Sequence, residues 1–387
     1  MPKVTNFEHN GILINATESP ESMGSLGNNV VGLVGTAPNK AASIPYNSPF
    51  RISNTTGAEL LDPTGAEAGT LYQTVKQILK VVKCPIYVVV VPAGATDTET
   101  FNNVMGGTDA TTGQRLGLQA LSGTLEDLTI IGAPGWTGKK AMATEFASFG
   151  KRIRARVVLD GIDGTVEAQC NYSVELGAGE GMDRCLVVHN MPAVYSKAAG
   201  ANVFLPPSSL AVASLAAVEQ WESPGNQVTN AEDVSRTVEY NILDTSTEGD
   251  LLNSYGVSYY ARTSLGGFSL LGNRSITGKF ISYVGLEDAL ARKLIATAQK
   301  VMAKNLTKSF MEQEVKRIND WLQTLIASET IPGGKVYLHP ELNSVENYKN
   351  GKWYICIDYG RYAPNETMVY QLNASDEIIE EFLEDVL

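Results

Sequence analysis

The feature that most constrains the fold is a series of short, continuously apolar runs that alternate with segments of helical spacing. Val30-Val-Gly-Leu-Val-Gly-Thr-Ala-Pro38 and Ile86–Val91 are typical of strands buried on both faces, because apolar and polar side chains do not alternate along them. Between them, one helical face is formed by Leu71, Val75, Ile78, Leu79 and Val82. This alternation predicts an α/β fold, with helices packed on a mixed or parallel sheet.

The same pattern continues to about residue 221, and a second region begins near Leu251. In the first region we expect strands at Leu128–Ile131, Arg156–Leu159 and Arg184–His189, and helices at Lys139–Ile153 and Leu205–Trp221. In the second we expect helices at Leu286–Ala303, Ser309–Ala327 (with Thr307 as N-cap) and Ser375–Leu387, and strands at Lys335–Leu338, Trp353–Tyr359 and Met368–Leu372.

Composition narrows the class of protein. The 387 residues carry a formal net charge of −12, which argues against a nucleic-acid binder, because neutralising phosphates requires a clustered basic excess. At this length two or three domains are expected. Only 19% of the residues are charged and 36 are glycine, a composition typical of a chain that hides surface against partners and also of an ordinary glycine-rich α/β protein.

Nothing in the sequence predicts export, membrane insertion or disulfides. Met1–Asn10 is polar and no run of 18 apolar residues occurs, so we expect a soluble protein made in a cytoplasm. The four cysteines form no CxxC pair and no short disulfide framework; we interpret Cys84, Cys170, Cys185 and Cys356 as reduced core thiols.

Motifs for chemistry are missing or incomplete. The three histidines are isolated, and neither a zinc-binding spacing nor a G-x-S-x-G elbow is present. The loop Gly132–Lys140 follows a predicted strand as a phosphate loop would, but Ala133 replaces the first glycine and Lys140 replaces the hydroxyl residue that would hold magnesium. We therefore predict no catalytic, cofactor-binding or metal-binding residues.

Charge is unevenly distributed. The last predicted helix carries six acids and no base: Asp376, Glu377, Glu380, Glu381, Glu384 and Asp385. By contrast residues 292–308 contain no acid, and Lys300, Lys304 and Lys308 are spaced four apart, as on one helical face. The lysines are either a solvated stripe or a docking face for an acidic partner surface.

Several motifs, taken in order, resemble the tail sheath proteins of contractile phage tails and of R-type bacteriocins. The strongest is Leu251-Leu-Asn-Ser-Tyr-Gly-Val257, which resembles a strand of the family, followed by Gly272-Asn-Arg274; Leu271 stands where the family usually has tryptophan. The other similar stretches are Val30–Pro38, Gly106–Leu121, Ile131–Gly135, Leu306–Phe310, Leu342–Ser344, Asn350–Ile355 and Pro364–Glu366.

The resemblance implies a fold of mixed α+β type, in which an outer α/β domain is inserted before a C-terminal α+β inner domain, with extended arms at both termini. The expected divisions are an arm over 1–25, an outer domain over 26–248, a tube-facing inner domain over 249–364, and a strand with an acidic helix over 365–387.

In function, the resemblance implies a subunit that polymerises with itself as stacked rings around an inner tube protein and contracts without nucleotide hydrolysis. The baseplate and tail terminator proteins are the further implied partners, with assembly in the bacterial cytoplasm. The terminal arms would donate strands to neighbouring subunits, and the matching candidates are Gly11, Ile12, Leu13, Ile14 and Asn15, and the segment after Pro364. A soluble α/β enzyme and a different self-assembling shell protein remain the alternatives, and the sequence does not distinguish a phage from a tail-like bacteriocin.

Overall fold

The computed structural model describes residues 23–386, so the predicted arm strand at Gly11–Asn15 lies outside the described residues. The strands are β1 Val31–Gly35, β2 Phe50–Ile52, β3 Ile86–Val90, β4 Gly107–Thr108, β5 Arg115–Leu116, β6 Ile130–Gly132, β7 Arg156–Asp160, β8 Cys185–Val188, β9 Pro192–Ser196, β10 Ala201–Phe204, β11 Gln227–Val228, β12 Asp233–Val234, β13 Val257–Thr263, β14 Gly267–Leu271, β15 Gly334–Leu338 and β16 Ile355–Tyr359. The helices are α1 Thr55–Glu59, α2 Leu71–Val81, α3 Asp97–Met105, α4 Lys140–Ile153, α5 Val166–Leu176, α6 Ser208–Ala217, α7 Glu248–Ser254, α8 Ile281–Gln299, α9 Lys308–Ala327, α10 Val345–Lys349 and α11 Asp376–Val386.

A nine-stranded sheet forms the larger part of the molecule, in the order β11-β14-β13-β8-β7-β6-β1-β3-β2. The six strands from β13 to β3 in that order run parallel. The outer strands β2, β14 and β11 pair antiparallel to their neighbours. The sheet is therefore mixed, as predicted, with a parallel centre.

Helices cover both faces of this sheet, which explains why its strands are apolar without alternation. In β7, Val157 and Leu159 contribute to the core that contains Phe146 of α4. Val158, between them, points to the opposite core, which contains Val212 of α6. Every residue of β7 is buried, so both faces of the strand select apolar side chains.

A third core lies between α8, α9 and the small antiparallel sheet of β15 and β16. It is built on Leu286 and Leu290 of α8 and on Trp321 and Leu322 of α9. Residues just after the undescribed N-terminal segment also join it, since Met23 is buried there and the Trp321 indole donates a hydrogen bond of 3.1 Å to the Gly24 carbonyl. The start of the described chain is thus packed on the C-terminal helices.

Buried charges connect α8 to the nine-stranded sheet. Asp288 of α8 accepts a hydrogen bond of 2.7 Å from Arg184, and both side chains are buried. The helix also approaches the preceding loop closely, since a Cβ added at Gly285 would lie 1.8 Å from the Gln220 carbonyl oxygen. Arg156, itself 1% exposed, donates to Asn29 and to the same carbonyl at 2.7 and 3.3 Å.

Most predicted elements are confirmed, including the Thr307 cap, whose hydroxyl accepts from the Phe310 amide. Three predictions are wrong. Leu251–Val257 is not a strand, because its first residues complete α7 and only Val257 begins β13. The helix expected over Leu205–Trp221 is confined to Ser208–Ala217, after Pro206 and Pro207. No strand forms at Met368–Leu372 within the described chain.

The first strands of the second region, β13 and β14, complete the nine-stranded sheet. The proposed boundary at 248/249 thus falls in sequence between strands of one sheet, and the division into outer and inner domains stays a prediction. Of the predicted core thiols, Cys84, Cys170 and Cys185 are buried and Cys356 is half-buried. Among residues 23–386, no helix has the length and apolar character needed to cross a bilayer.

We predict that Asp288→Asn destabilises the protein by about 3–5 kcal/mol, because it leaves the buried Arg184 guanidinium without its counter-charge. The matched control is Asp320→Asn, which removes an exposed partner of Lys316 on α9 and should cost no more than about 0.5 kcal/mol. Urea unfolding of the two variants measures the difference. Equal, small effects would contradict a role for Asp288 in holding α8 to the sheet.

Candidate assembly surfaces

The motif Gly272-Asn-Arg274 connects β14 to α8. Gly272 has a φ of +120°, and a Cβ there would lie 2.9 Å from the Cα of Ser258 on β13, so any side chain would be both strained and crowded. The next carbonyl, of Asn273, accepts a hydrogen bond of 2.9 Å from the Ile281 amide. The motif therefore fixes the path by which the chain leaves the sheet and enters α8.

Arg274 pairs with Glu366, which joins two motifs that are 92 residues apart. The Arg274 Nε and Nη2 donate to the Glu366 Oε1 and Oε2 at 3.0 and 2.7 Å, in a bidentate arrangement. The guanidinium also lies 3.8 Å from the ring centroid of Phe280. The hydrogen bonds to Glu366 raise the pKa of Arg274, so its guanidinium stays charged. The sequence analysis identified both segments as motifs but did not predict the contact between them.

Beyond Glu366 the chain leaves the body of the molecule. Met368, Val369, Tyr370 and Leu372 are all exposed, Leu372 at 96%. The strand expected here fails to form within residues 23–386 because no strand lies beside it. An apolar segment outside any helix or strand, with its side chains in water, is typical of a strand that lacks its partner.

Helix α11 follows, with the acidic composition that the sequence predicts. Its acids are Asp376, Glu377, Glu380, Glu381, Glu384 and Asp385. Its other face is apolar, and Ile378, Ile379, Phe382, Leu383 and Val386 are each at least 50% exposed. The periodicity indicated this face correctly, but within the described chain nothing covers it.

The sheet of β15 and β16 has one covered face and two open edges. Val336, Ile355 and Ile357 pack against the third core, which fixes the sheet on α9. The two strands pair only with each other within residues 23–386. Each strand therefore presents backbone donors and acceptors along one edge, as a template for an added strand.

The lysines do not share a helical face, contrary to prediction. α8 ends at Gln299, so Lys300 caps it, Lys304 lies in the connection and Lys308 begins α9. The helix stops early, and Ala303 adopts a left-handed φ of +67°. The three side chains are exposed, and we call the segment that carries them the 300–308 corner. The Nζ of Lys308 lies 3.8 Å from the Oε1 of Glu312.

The loop that imitates a phosphate site is filled by a side chain of the protein. Asp160, at the end of β7, accepts hydrogen bonds on Oδ2 from the Gly135 amide at 2.8 Å and the Thr137 hydroxyl at 2.7 Å. Its Oδ1 accepts from the Ser208 amide at 2.9 Å, at the start of α6. The donors that would cradle a phosphate thus bind this carboxylate instead.

The described residues contain no group of three or more metal-ligating side chains. His189 is 3% exposed, and burial together with the nearby Arg236 lowers its pKa to about 4, so its imidazole is neutral. His339 accepts from the amides of Glu341 and Leu342, which is a turn contact.

Comparison with known proteins gives a consistent result, although no family model matches the chain. It is 25% identical to a putative prophage major tail sheath protein of Pseudomonas aeruginosa (strain UCBPP-PA14), covering 98% of this chain and 99% of that protein. It is 24% identical to the tail sheath protein of Escherichia phage P2, covering 97% and 98%.

Solved structures show the same fold. The contracted sheath of the PVC extracellular contractile injection system matches with a TM-score of 0.72 at 16% identity, covering 97% of this chain and all of that one. The contracted helical sheath of the anti-feeding prophage matches with a TM-score of 0.69 at 16% identity, covering 95% and 99%. Sequence likeness and fold both extend over nearly the full length, so the chain resembles contractile tail sheath proteins throughout.

Proposed function

We propose that this chain polymerises through its terminal arms into a helical sleeve around an inner tube, and that the sleeve contracts without nucleotide hydrolysis to drive the tube through a cell envelope. The observation that carries the proposal is the C-terminal segment 367–386, whose apolar side chains are in water in the isolated subunit. It supports a subunit that is completed only by its neighbours.

The energetics favour transfer of this segment to another subunit. Burying a large apolar side chain contributes about 1.5–3 kcal/mol, so covering the five apolar residues of α11 would contribute several kcal/mol to assembly. A helix of 11 residues is also marginal in water by itself, so docking stabilises it. Both effects act only when a second copy is present.

The small sheet of β15 and β16 is the proposed acceptor. Its open edges suit added strands, and the donor candidates are Gly11–Asn15 and residues 368–372 of neighbouring subunits. Such a contact joins different surfaces of the two copies, so it does not close on itself and generates a filament. Because this kind of pairing relies on main-chain hydrogen bonds, it tolerates changes in side-chain packing. It therefore suits contacts between subunits that persist through contraction.

Arg274 and Glu366 fix the point at which the arm departs. Because Glu366 is held on the body and the residues after it are exposed, the direction of the arm is set by this pair rather than by its own packing. The pair is about two-fifths exposed on both sides, so its contribution to monomer stability is small, on the order of 0–1 kcal/mol. Its proposed role is orientation of the arm.

The 300–308 corner and α11 are proposed as complementary charged surfaces. One faces the inner tube and the other a neighbouring subunit. Opposite charges on surfaces that meet steer association and set its register more than they add affinity. The proposed partners are further copies of this chain, the tube protein, the baseplate and the tail terminator, with assembly in the host cytoplasm.

Contraction then needs no catalytic site. Subunits held in an extended arrangement by the tube and baseplate would relax into better-packed contacts when the baseplate opens, which is a switch between two interface packings. The Asp160 carboxylate in the phosphate-like loop supports this non-enzymatic reading.

We predict that Ile379→Asp combined with Phe382→Asp abolishes polymerisation and leaves the body folded, because two charges would enter the apolar face that docks on a neighbour. Negative-stain microscopy and sedimentation measure the polymer, and circular dichroism checks the fold. The matched control is Leu125→Asp, at an aliphatic residue 95% exposed in a loop of the nine-stranded-sheet region. Sleeves formed normally by the double variant would refute the docking of α11.

A charge exchange tests the proposed orientation of the arm. Arg274→Glu alone should shift the unfolding midpoint little but reduce polymer yield at least tenfold, because the introduced carboxylate would repel that of Glu366. The double variant Arg274→Glu with Glu366→Arg should recover assembly. Failure of the exchange to recover any polymer, with both variants folded, would show that the pairing is not what orients the arm.

Reversal of Lys300, Lys304 and Lys308 to Glu should prevent assembly of extended sheath on purified tubes, since it replaces attraction by repulsion at the 300–308 corner. Lys80, Lys83 and Lys197 are also exposed, and their reversal changes the net charge equally. Electron microscopy should show sheathed tubes with the control triple variant only. Sheathed tubes of normal length with both would eliminate a specific role for the corner.

A further inference from the structure

A cavity of about 300 Å³ lies at the carboxyl ends of β6, β7 and β8. It is lined by the loop 160–164, by residues that follow β8 and β12, and by the end of β10, among them His189, Asn190, Met191, Phe204 and Arg236. In open sheets with a parallel centre, this edge is where ligands bind, because loops after neighbouring strands diverge there. The proposed assembly surfaces do not use this cavity.

Two polar side chains that line the cavity, buried His189 and half-buried Arg236, have nitrogens without partners within the described chain. Neither ring nitrogen of His189 forms a hydrogen bond, although the residue is only 3% exposed. The Nε of Arg236 is also buried and unpaired, while its Nη1 donates to the Gly164 carbonyl at 3.0 Å. An unsatisfied buried polar group is costly, so the unpaired imidazole of His189, beside a guanidinium that is only partly satisfied, favours a ligand at this cavity.

We propose that this cavity binds a carboxylate group, held by the Arg236 guanidinium and by an N–H of His189. A guanidinium offers donors in a planar fork that matches the two oxygens of a carboxylate. A cation is disfavoured, because Arg236 would repel it. Phosphate is disfavoured as well, because the loop amides and the α6 amide that would bind it already donate to Asp160.

The charges around the imidazole agree with an anionic ligand. Burial and Arg236 lower the pKa of His189, and only Glu248 and Asp163 act in the opposite direction. Asp163 is exposed at the rim, where water screens its charge. Asp160 also lines the cavity, but its oxygens already accept hydrogen bonds from Gly135, Thr137 and Ser208, whereas Arg236 keeps an unpaired donor.

The remaining lining fits an apolar group attached to the carboxylate. Ile162, Met191 and Phe204 line the cavity, together with Pro206 and Pro207. Phe204 is 52% exposed and stands at the mouth, where a ligand would cover part of its ring. The carboxylate could belong to a small organic acid or to an Asp or Glu side chain of a neighbouring copy, and both present the same chemistry.

The test uses the full chain as a monomer with sodium benzoate as the probe and benzamide as its neutral, equally shaped control. Titration followed by the nuclear magnetic resonance signals of the His189 ring should show saturable benzoate binding at least tenfold tighter than that of benzamide. Arg236→Gln should weaken benzoate binding at least tenfold, whereas Arg262→Gln, at an exposed arginine on β13, should leave it unchanged. Circular dichroism confirms that the variants fold.

Three results with the wild-type chain would each overturn the proposal: equal binding of benzoate and benzamide, tighter binding of inorganic phosphate than of benzoate, or the absence of any saturable shift. These comparisons hold even if Arg236→Gln does not fold.

A second part of the experiment identifies the source of the carboxylate. Benzoate that binds polymer and monomer equally indicates a small acid. Benzoate that is excluded from the polymer and slows its formation indicates a side chain of the neighbouring copy. Only this part of the experiment depends on the proposed polymerisation. If no polymer forms, the result obtained with the monomer still stands.

Discussion

A parallel sheet must be covered on both faces, and the rest of this structure follows from that requirement. The central strands carry apolar side chains on both faces, so α4 and α5 pack on one side and α2 and α6 on the other. The loops that link these strands and helices then diverge at the carboxyl edge of the sheet, where Asp160 ends β7. The sheet thereby fixes the cavity beside His189 and the position of α8.

The link from the sheet to α8 is apolar at the first residue of the helix, Ile281, and polar further along it. Arg184 and Asp288 form a buried pair, and Arg292 donates to the side chain of Gln220 on the same side of α8. Buried ion pairs add little net stability compared with apolar packing, but they require one geometry. This is the property needed where α8 must carry the third core, the small sheet and the 300–308 corner in a fixed direction.

The sequence was sufficient for the elements whose pattern is set by local burial. Continuous apolar runs located β1, β3, β7 and β8, and helical spacing located α2, α4 and α9. The sequence was insufficient where the structure of a segment depends on the elements packed beside it. Residues 368–372 have the composition of a strand but no strand beside them in the described chain, and Lys300 to Lys308 have helical spacing across a chain reversal that begins at Gln299.

The candidate assembly surfaces show the same division. The apolar and acidic faces of α11 could be read from periodicity, whereas the pairing of Arg274 with Glu366 joins residues too far apart for any local pattern to reveal. α5 was also missed, because its buried side includes Gln169 and Ser173 and its apolar face is therefore weak.

Asp160 has a consequence for how the molecule responds to its surroundings. A phosphate in a nucleotide-binding loop comes and goes, so the loop reports the concentration of the nucleotide. The Asp160 carboxylate is covalently part of the chain. It is therefore always present at the loop amides, whatever the metabolic state of the cell. The loop after β6 is therefore a permanent structural joint between β7 and α6, whose geometry is the same in a starved cell as in a growing one.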